Sequence, residues 1–136
     1  MSSDACVREL LECLDLERIE QNIFRGRNES ERPGRLFGGQ VAAQSLVAAG
    51  RTLPETKPAH SLHGYFLRPG DPTCPVLYSV DRIRDGRSFT TRRVVARQRG
   101  QAIFNMSVSF HASEPGYEHQ FDRPAAPEPE AVPTWS

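Results

Sequence analysis

The sequence has no long apolar run, no excess charge and few cysteines. A membrane-spanning helix needs about 20 apolar residues, and no stretch of the 136 approaches that. Seventeen basic and seventeen acidic residues cancel, so nothing electrostatic favours nucleic acid as a partner. The cysteines number three, fit no metal-ligand spacing, and follow an N-terminus too charged for a secretory signal. We therefore expect one cytoplasmic domain without a metal site or cofactor.

The most apolar stretch covers residues 36–50, LFGGQVAAQSLVAAG. Between Val41 and Ala49 the only polar side chains are those of Gln44 and Ser45. A surface helix needs a polar face, so this composition predicts a short helix surrounded by protein. The rest of the chain is expected to wrap around it.

The flanking segments alternate between helix-like and strand-like patterns. Val7, Leu10, Leu11 and Leu14 have the three-and-four spacing of an amphipathic docking helix. Asp85-Gly86 predicts a tight hairpin turn with positive φ. Alternating or apolar runs predict a first strand within residues 16–25 and further strands at 60–67, 76–84, 89–99 and 102–110, and a polar stretch predicts a loop at 26–35.

These elements together predict an α+β domain over residues 1–111, with an antiparallel sheet of about five strands wrapped around one central helix. Residues 112–136 hold five of the eleven prolines and several glutamates, which is typical of a tail or linker. A sheet over one helix leaves a face or an edge uncovered. We therefore expect the domain to pair with another copy or domain.

Several motifs in order indicate a family. They are residues 37–40 (FGGQ), 60–71 (HSLHGYFLRPGD) and 85–89 (DGRSF), followed by Phe104, Met106, Ser109 and Phe110. Together they resemble the N-terminal half of the type II acyl-CoA thioesterases. The resemblance implies a hot-dog fold, a second hot dog in the same polypeptide and hydrolysis of acyl-CoA. It also implies that the Asp, Ser or Thr, and Gln that activate water lie in that second half, for which this chain has no matching positions.

The start of the central helix is the first candidate site. Gly38 and Gly39 would let a substrate approach the helix N-terminus, where free amides meet a developing oxyanion. The alternative is that the glycines only let the helix enter a crowded sheet. Gln40 would orient a water or hold the carbonyl, or equally cap the helix or bond a neighbouring strand.

His63 is the candidate general base, because the ordinary pKa of histidine lies near neutrality. A structural histidine in a strand is the more common case. Asp71, in the Arg-Pro-Gly-Asp-Pro segment, is interpreted as a turn residue. The His63 and Asp71 pair is the only one that would serve an enoyl-CoA hydratase.

Seven arginines crowd one hairpin, and guanidinium groups suit the phosphates of coenzyme A. A solvated strand face is the alternative explanation. Arg87, Ser88 and Phe89 are the candidate substrate-binding set, because they begin a strand beside a turn. The arginines are Arg82, Arg84, Arg87, Arg92, Arg93, Arg97 and Arg99.

We therefore predict that the chain is, or is part of, a hydrolase that releases free fatty acid and coenzyme A from acyl-CoA. A non-catalytic half that pairs with a catalytic hot dog is the alternative, and a hydratase-like hot dog is a third. The expected partners are the acyl-CoA substrate and a second hot-dog domain or another copy. His60, His63, His111 and His119 lack partners at ligand spacing, so no metal site is expected.

Overall fold

One six-stranded antiparallel sheet forms the framework of the computed structural model, which describes residues 3–28 and 34–134. The strands lie in the order β1-β2-β4-β5-β6-β3 across the sheet. In chain order the elements are α1 (Ser3–Leu14), β1 (Glu17–Glu20), β2 (Ile23–Gly26), α2 (Gly38–Gly50), β3 (Ala59–Phe66), β4 (Val76–Asp85), β5 (Phe89–Gln98) and β6 (Gln101–His111). The predicted sheet around one helix is confirmed, with six strands because the segment at 16–25 forms two short strands.

Helix α2 packs against one face of the sheet, as its composition predicts. Ala48 and Ala49 are completely buried, and the small side chains let the helix backbone approach the strands. Gln44 and Ser45, its only polar residues in that stretch, are buried too. Burying an aliphatic or aromatic core side chain contributes about 1.5–3 kcal/mol. The strands supply most of the core, including Phe24, Val76, Tyr78, Val94, Met106 and Val108.

The alternation predicted for the last strand is confirmed. In β6 the side chains of Phe104, Met106, Val108 and Phe110 are buried. Their neighbours Asn105, Ser107 and Ser109 are partly or fully exposed, so β6 has a core face towards α2 and an outer face. Registers with β5 and β3 extend these two faces across the sheet.

The prediction of a tight turn with positive φ at Asp85-Gly86 is wrong. Three residues, 86–88, join β4 to β5. Within residues 3–28 and 34–134, φ is positive only at Gly34, Arg99 and Gly100. The Gly86 amide donates to the Phe89 carbonyl over 2.9 Å, and the ammonium of Lys57 donates to the Gly86 carbonyl over 2.7 Å. Lys57 thus binds the connection from a distant part of the chain. The two-residue turn with positive φ is Arg99-Gly100, between β5 and β6.

The two terminal regions differ from the central domain. Helix α1 forms as predicted, but Val7, Leu10 and Leu11 are all more than half exposed, so it does not dock through them onto the described part of this domain. Residues 112–128 form neither helix nor strand, and a single 3-10 turn follows at Pro129–Ala131. Residues 29–33 of the predicted loop lie outside the described part. The division of the chain at residue 111 stays a prediction.

Candidate functional site

Two aromatic rings lie across the N-terminal end of α2. A Cβ added to Gly38 would come within 2.9 Å of the Phe66 ring, and one added to Gly39 within 2.5 Å of the Phe37 ring. The glycines therefore make room for the Phe66 ring of β3 and for the Phe37 ring directly before the helix. Both rings remain largely open to solvent, at 69% exposed for Phe37 and 64% for Phe66.

A cavity of about 370 Å³ opens at this end of α2 and is called the helix-end cavity here. Its walls are mostly apolar and its rim carries two arginines. By helix geometry the first amides of α2, at Gly38 and Gly39, have no acceptor within the helix. The cavity thus combines apolar walls with free backbone donors. It is lined by Leu36, Gly38, Val41, Phe66, Leu67, Pro69, Gly70, Ile103 and Phe104, with Arg35 and Arg68.

Gln40 lies in the first turn of α2 and is tied to the chain that follows β2. Its amide nitrogen donates to the Asn28 side-chain oxygen over 3.2 Å and more distantly to the Arg27 carbonyl over 3.4 Å. The Asn28 side chain in turn donates to the Cys74 carbonyl. Gln40 therefore lies beside the glycine pair, with its amide donors bonding a neighbouring segment.

A buried network below the site was missed from the sequence. The Gln44 amide nitrogen donates to the Cys13 carbonyl over 2.7 Å and to the Arg27 carbonyl over 3.1 Å, while the Tyr78 hydroxyl donates to the Gln44 oxygen over 2.5 Å. Burial, with a smaller contribution from Cys13, raises the pKa of Tyr78, so this hydroxyl stays protonated. The available signal was Gln44 itself, one of only two polar residues in the apolar stretch between Val41 and Ala49. The network holds the Arg27 backbone against α2.

His63 lies on the other side of the sheet from Gln40. It pairs with Ser107, whose side chain lies on the outer face, while the neighbouring β6 residues Met106 and Val108 are buried against α2. Paired residues in an antiparallel sheet share a face. His63 is exposed and its ring contacts that of Tyr65, with centroids 4.8 Å apart. The two candidate catalytic groups are therefore separated by the sheet.

Asp71 is held in its own turn. Its carboxylate accepts from the Thr73 amide over 2.9 Å and the Thr73 hydroxyl over 2.6 Å, and pairs with Arg99 over 2.9 Å. The Thr73 hydrogen bonds, followed by the charge of Arg99, lower the pKa of Asp71. The Asp71 amide donates to Gln98, which pairs with Gln101 at the start of β6. His63 pairs with Ser107, six residues further along β6. Asp71 and His63 are therefore separated by roughly 20 Å along the strand. The hydratase pair is not brought together.

The two predicted substrate-binding sets lie at opposite ends of the sheet. Gly38 contacts Phe66 at the end where β5 finishes, whereas Arg87, Ser88 and Phe89 lie where β5 begins, roughly 30 Å away along nine residue steps. The Ser88 hydroxyl donates to the Glu114 carboxylate over 2.9 Å, and the Phe89 ring packs on His111 with centroids 4.3 Å apart. Their role as a substrate-binding set stays a prediction.

Arg92, counted above with the hairpin arginines, is fully buried. Its guanidinium pairs with the Asp85 carboxylate at 2.5 Å and donates to the Thr52 hydroxyl at 2.8 Å and the Thr52 carbonyl at 3.2 Å. Thr52 follows the last turn of α2, so this cation lies at the negative end of the helix dipole. The sequence signal for this burial was the position of Arg92 in β5, two residues before Val94 and four before Ala96, which places all three on the buried face.

A different cavity, of about 380 Å³, lies beside α1 and is unsuited to an anion. Four carboxylates line it, those of Glu9, Glu12, Asp15 and Glu17, against one arginine. In the described ranges 3–28 and 34–134, no three His, Cys, Asp or Glu side chains are grouped as a metal site would require. No helix in those ranges is long and apolar enough to cross a membrane. The helix-end cavity remains the better candidate for an anionic ligand.

Comparison with known proteins identifies relatives over most of the chain. Human "Acyl-coenzyme A thioesterase 8" is 48% identical over 120 residues, covering 88% of this chain and 38% of that protein. "Acyl-CoA thioesterase 2" of Haemophilus influenzae is 41% identical over 124 residues, covering 91% of this chain and 43% of that protein. The chain thus spans about two fifths of the length of these curated relatives.

Solved structures agree with the fold. An acyl-CoA thioesterase II, TesB2, from Mycobacterium marinum superposes with a TM-score of 0.79 at 50% identity, over 89% of this chain and 45% of that one. A hot-dog protein from Alicyclobacillus acidocaldarius, at 22% identity, has the same TM-score of 0.79, covers 92% of this chain and 48% of that one, and confirms the hot-dog fold. The profile of the acyl-CoA thioesterase N-terminal domain matches residues 28–111. This chain therefore belongs to the acyl-CoA thioesterase N-terminal domain family.

Proposed function

We propose that this domain takes part in the hydrolysis of acyl-CoA to free fatty acid and coenzyme A, and that it holds the thioester in the helix-end cavity. The observation that carries the proposal is the juxtaposition of apolar walls with the first turn of α2, where Gly38 lines the cavity and Gly39 follows it along the helix. Family membership supports the same substrate class. The apolar walls suit an acyl chain, and the helix N-terminus suits a carbonyl that gains negative charge.

The reaction is a direct attack by water. Water adds to the thioester carbonyl carbon, and the oxygen becomes an oxyanion held by the amides of Gly38 and Gly39. Collapse of this intermediate breaks the C–S bond and releases the thiolate of coenzyme A, which takes up the proton lost by the attacking water, while the acyl group leaves as a fatty acid. Donors aimed at an oxyanion contribute about 10²–10³ in kcat each. Gln40 is a secondary candidate to orient the water.

The group that activates water belongs to a second hot dog in this proposal. His63 lies on the outer face, and Asp71 is engaged by Thr73 and Arg99. The relatives of this chain extend well beyond it, which supports a second domain or partner. The described part of this chain thus supplies the cavity and the oxyanion donors, while the partner supplies the base.

The exposed edge strand β3 is the surface that best fits pairing with that partner. It is an edge strand in which seven of eight residues are exposed, on both faces. Leu62 and Phe66 face the α2 side and remain 55% and 64% exposed. An uncovered edge with exposed apolar side chains is a template for another strand. We propose that a second hot-dog domain, or another copy of this chain, pairs along β3, in a cytoplasmic protein.

A non-catalytic role is the second candidate. It is favoured by the same geometry, since neither His63 nor Asp71 lines the helix-end cavity. In that case the domain shapes the acyl-CoA site while the partner performs all the chemistry, including oxyanion binding. The two candidates differ in whether substitutions at Gly38 and Gly39 change kcat or only KM.

Release of the coenzyme A thiol from medium-chain and long-chain acyl-CoA tests the proposal. The chain should be assayed alone and joined to the second half of a relative. We expect slow or no hydrolysis alone and clear hydrolysis by the joined protein. In the joined protein, Gly39→Pro removes one amide donor and should lower kcat about 100-fold, with Gly50→Ala as the matched helix control. An unchanged kcat in a folded Gly39→Pro protein would assign the oxyanion donors to the partner.

A further inference from the structure

We infer that the phosphates of coenzyme A bind in a basic groove formed by Arg35, Arg68 and Arg99, at the end of the sheet that holds the Arg99-Gly100 turn. The inference rests on the proposed function and assigns the carrier's binding site within it. The groove continues the helix-end cavity through a second cavity of about 270 Å³. That second cavity is lined by Arg68, Pro69, Asp71, Gln98, Arg99, Gln101 and Ile103.

The two cavities are adjacent. Arg68, Pro69 and Ile103 line both of them. A ligand that enters the helix-end cavity with its apolar part therefore meets the basic groove with its other end. An acyl-CoA has this order along its length, from apolar chain to thioester to phosphates. The arrangement fits one extended ligand better than two separate ones.

The charge of the groove suits phosphate. Three arginines and one carboxylate, that of Asp71, line the combined cavities, which leaves a net positive charge. Asp71 accepts from Thr73 in its own turn and pairs with Arg99 of the β5–β6 turn, so the net positive charge is that of Arg35 and Arg68. Arg68 is oriented by a hydrogen bond of 2.8 Å to the Ala102 carbonyl, which uses one of its five donors. The remaining guanidinium donors suit paired contacts with phosphate oxygens.

The backbone conformation at Arg99 is unusual for a residue other than glycine. Its φ of 49° lies in the left-handed region, where glycine or asparagine is the ordinary choice for a two-residue hairpin. An arginine occupies this position despite the backbone cost. The position directs a guanidinium over the groove.

The groove is also held rigidly. The Gln98 side chain, almost fully buried, accepts from the Asp71 amide over 2.8 Å and donates to the Asp71 and Cys74 carbonyls over 2.8 and 2.5 Å. These bonds fix the segment after Pro69 against the end of β5. A preorganised site loses less conformational entropy when a ligand binds.

Binding measurements on the whole chain test the inference. The probes are a thioether analogue of acyl-CoA, which cannot be hydrolysed, and the corresponding acyl-pantetheine thioether without phosphates. Arg68→Gln and Arg99→Asn should each weaken the CoA analogue about tenfold and leave the pantetheine analogue unchanged. Arg99→Asn suits the turn, so its thermal unfolding should match or exceed that of the unaltered chain. Arg93→Gln, on the outer face, is the matched control and should bind like the unaltered chain.

Arg87→Gln is the competing arm, because Arg87 lies at the other end of the sheet. If Arg87→Gln weakens the CoA analogue while Arg68→Gln and Arg99→Asn do not, the inference is overturned and the proposed function stands. If all variants bind the CoA analogue equally, it is overturned as well. Failure of the unaltered chain to bind either analogue contradicts the proposed function itself and, with it, this assignment.

Discussion

The two ends of helix α2 differ in how completely they are closed. At its C-terminal end, buried Arg92 bonds Thr52 and Asp85, and buried Lys57 bonds the Gly86 carbonyl. At its N-terminal end, exposed aromatic rings surround an open cavity with arginines on its rim. The closed end satisfies its own polar groups. The open end leaves apolar area uncovered, as ligand and partner sites do.

The contrast has an energetic side. A buried arginine is tolerated only when its donors are bonded, and no buried side-chain nitrogen or oxygen in the described residues lacks a partner. Exposed rings such as Phe37 and Phe66 gain little from folding of this domain alone. We therefore expect substitutions at the closed end to change stability most, and those at the open end to change ligand binding most.

The largest expected effect is at the closed end, from Arg92→Met. Loss of the cation removes the donor to the Thr52 carbonyl and the partner of the half-exposed Asp85, while the Thr52 hydroxyl keeps its bond to the Ala49 carbonyl. Breaking such a pair should lower the free energy of unfolding by about 3 kcal/mol, measured by denaturant titration.

Arg93→Met is the matched control for that substitution. Arg93 pairs with Asp81 over 2.8 Å on the exposed outer face. Its removal should lower the free energy of unfolding by about 0.2–1 kcal/mol. Equal losses of unfolding free energy in the two variants would contradict the expected difference between the buried Arg92 pair and the exposed Arg93 pair.

The next largest loss of stability is expected for Tyr78→Phe, because the Tyr78 hydroxyl bonds Gln44 in the middle of α2. Without the hydroxyl, the buried Gln44 oxygen loses its donor. This should lower the free energy of unfolding by about 1–3 kcal/mol, again by denaturant titration. A change within error would mean that another group, such as water, can satisfy Gln44.

The two glycines at the ends of α2 sharpen the comparison further. A Cβ at Gly50 meets nothing within 4 Å, so Gly50→Ala should raise the free energy of unfolding by about 0.5–1 kcal/mol. Gly38→Ala displaces the Phe66 ring, which packs on Phe104 on one side and is 64% exposed, so stability should change by less than about 1 kcal/mol. Affinity for the CoA analogue should fall in Gly38→Ala alone. A loss of affinity in Gly50→Ala would contradict the assignment of the site to one end.

The smallest expected effect is on the pH dependence, from Asp71→Asn. The Thr73 hydrogen bonds, then Arg99, lower the pKa of Asp71 below its ordinary 3.8. A lowered pKa in the folded state means that the carboxylate stabilises the fold fully above that ordinary value, and that this contribution is lost as pH falls through the lowered pKa. The Tm difference between the unaltered chain and Asp71→Asn should therefore be constant near neutrality and shrink below about pH 4. A Tm difference that grows as pH falls below about 4 would contradict a lowered pKa of Asp71 in the folded state.

The sequence predicted elements whose pattern is local. The helix at 36–50 followed from its nearly unbroken apolar composition, and β6 from its strict alternation. Arg92 was misjudged because its partners Asp85 and Thr52 are brought to it by strand register and by the end of α2, neither of which is local. The turn at 86–88 likewise depends on Lys57 from another segment.

The site was harder to predict than the fold. The strand containing His63 was expected, but the face it presents depends on register, and a shift of one residue reverses it. Gly38 and Gly39 were singled out by a local motif, whereas Arg68 and Arg99 come together only through the loop that Gln98 fixes. Groups assembled from distant segments are what a single sequence hides.

Amide chemical shifts followed by NMR while the chain is titrated with the CoA thioether analogue test the central claim most directly. The account predicts the largest changes at Gly38, Gly39 and Gly70, around the open end of α2, and none at Thr52 or Gly86. Changes concentrated at Gly86 and Ser88, with Gly38 and Gly39 unmoved, would contradict it.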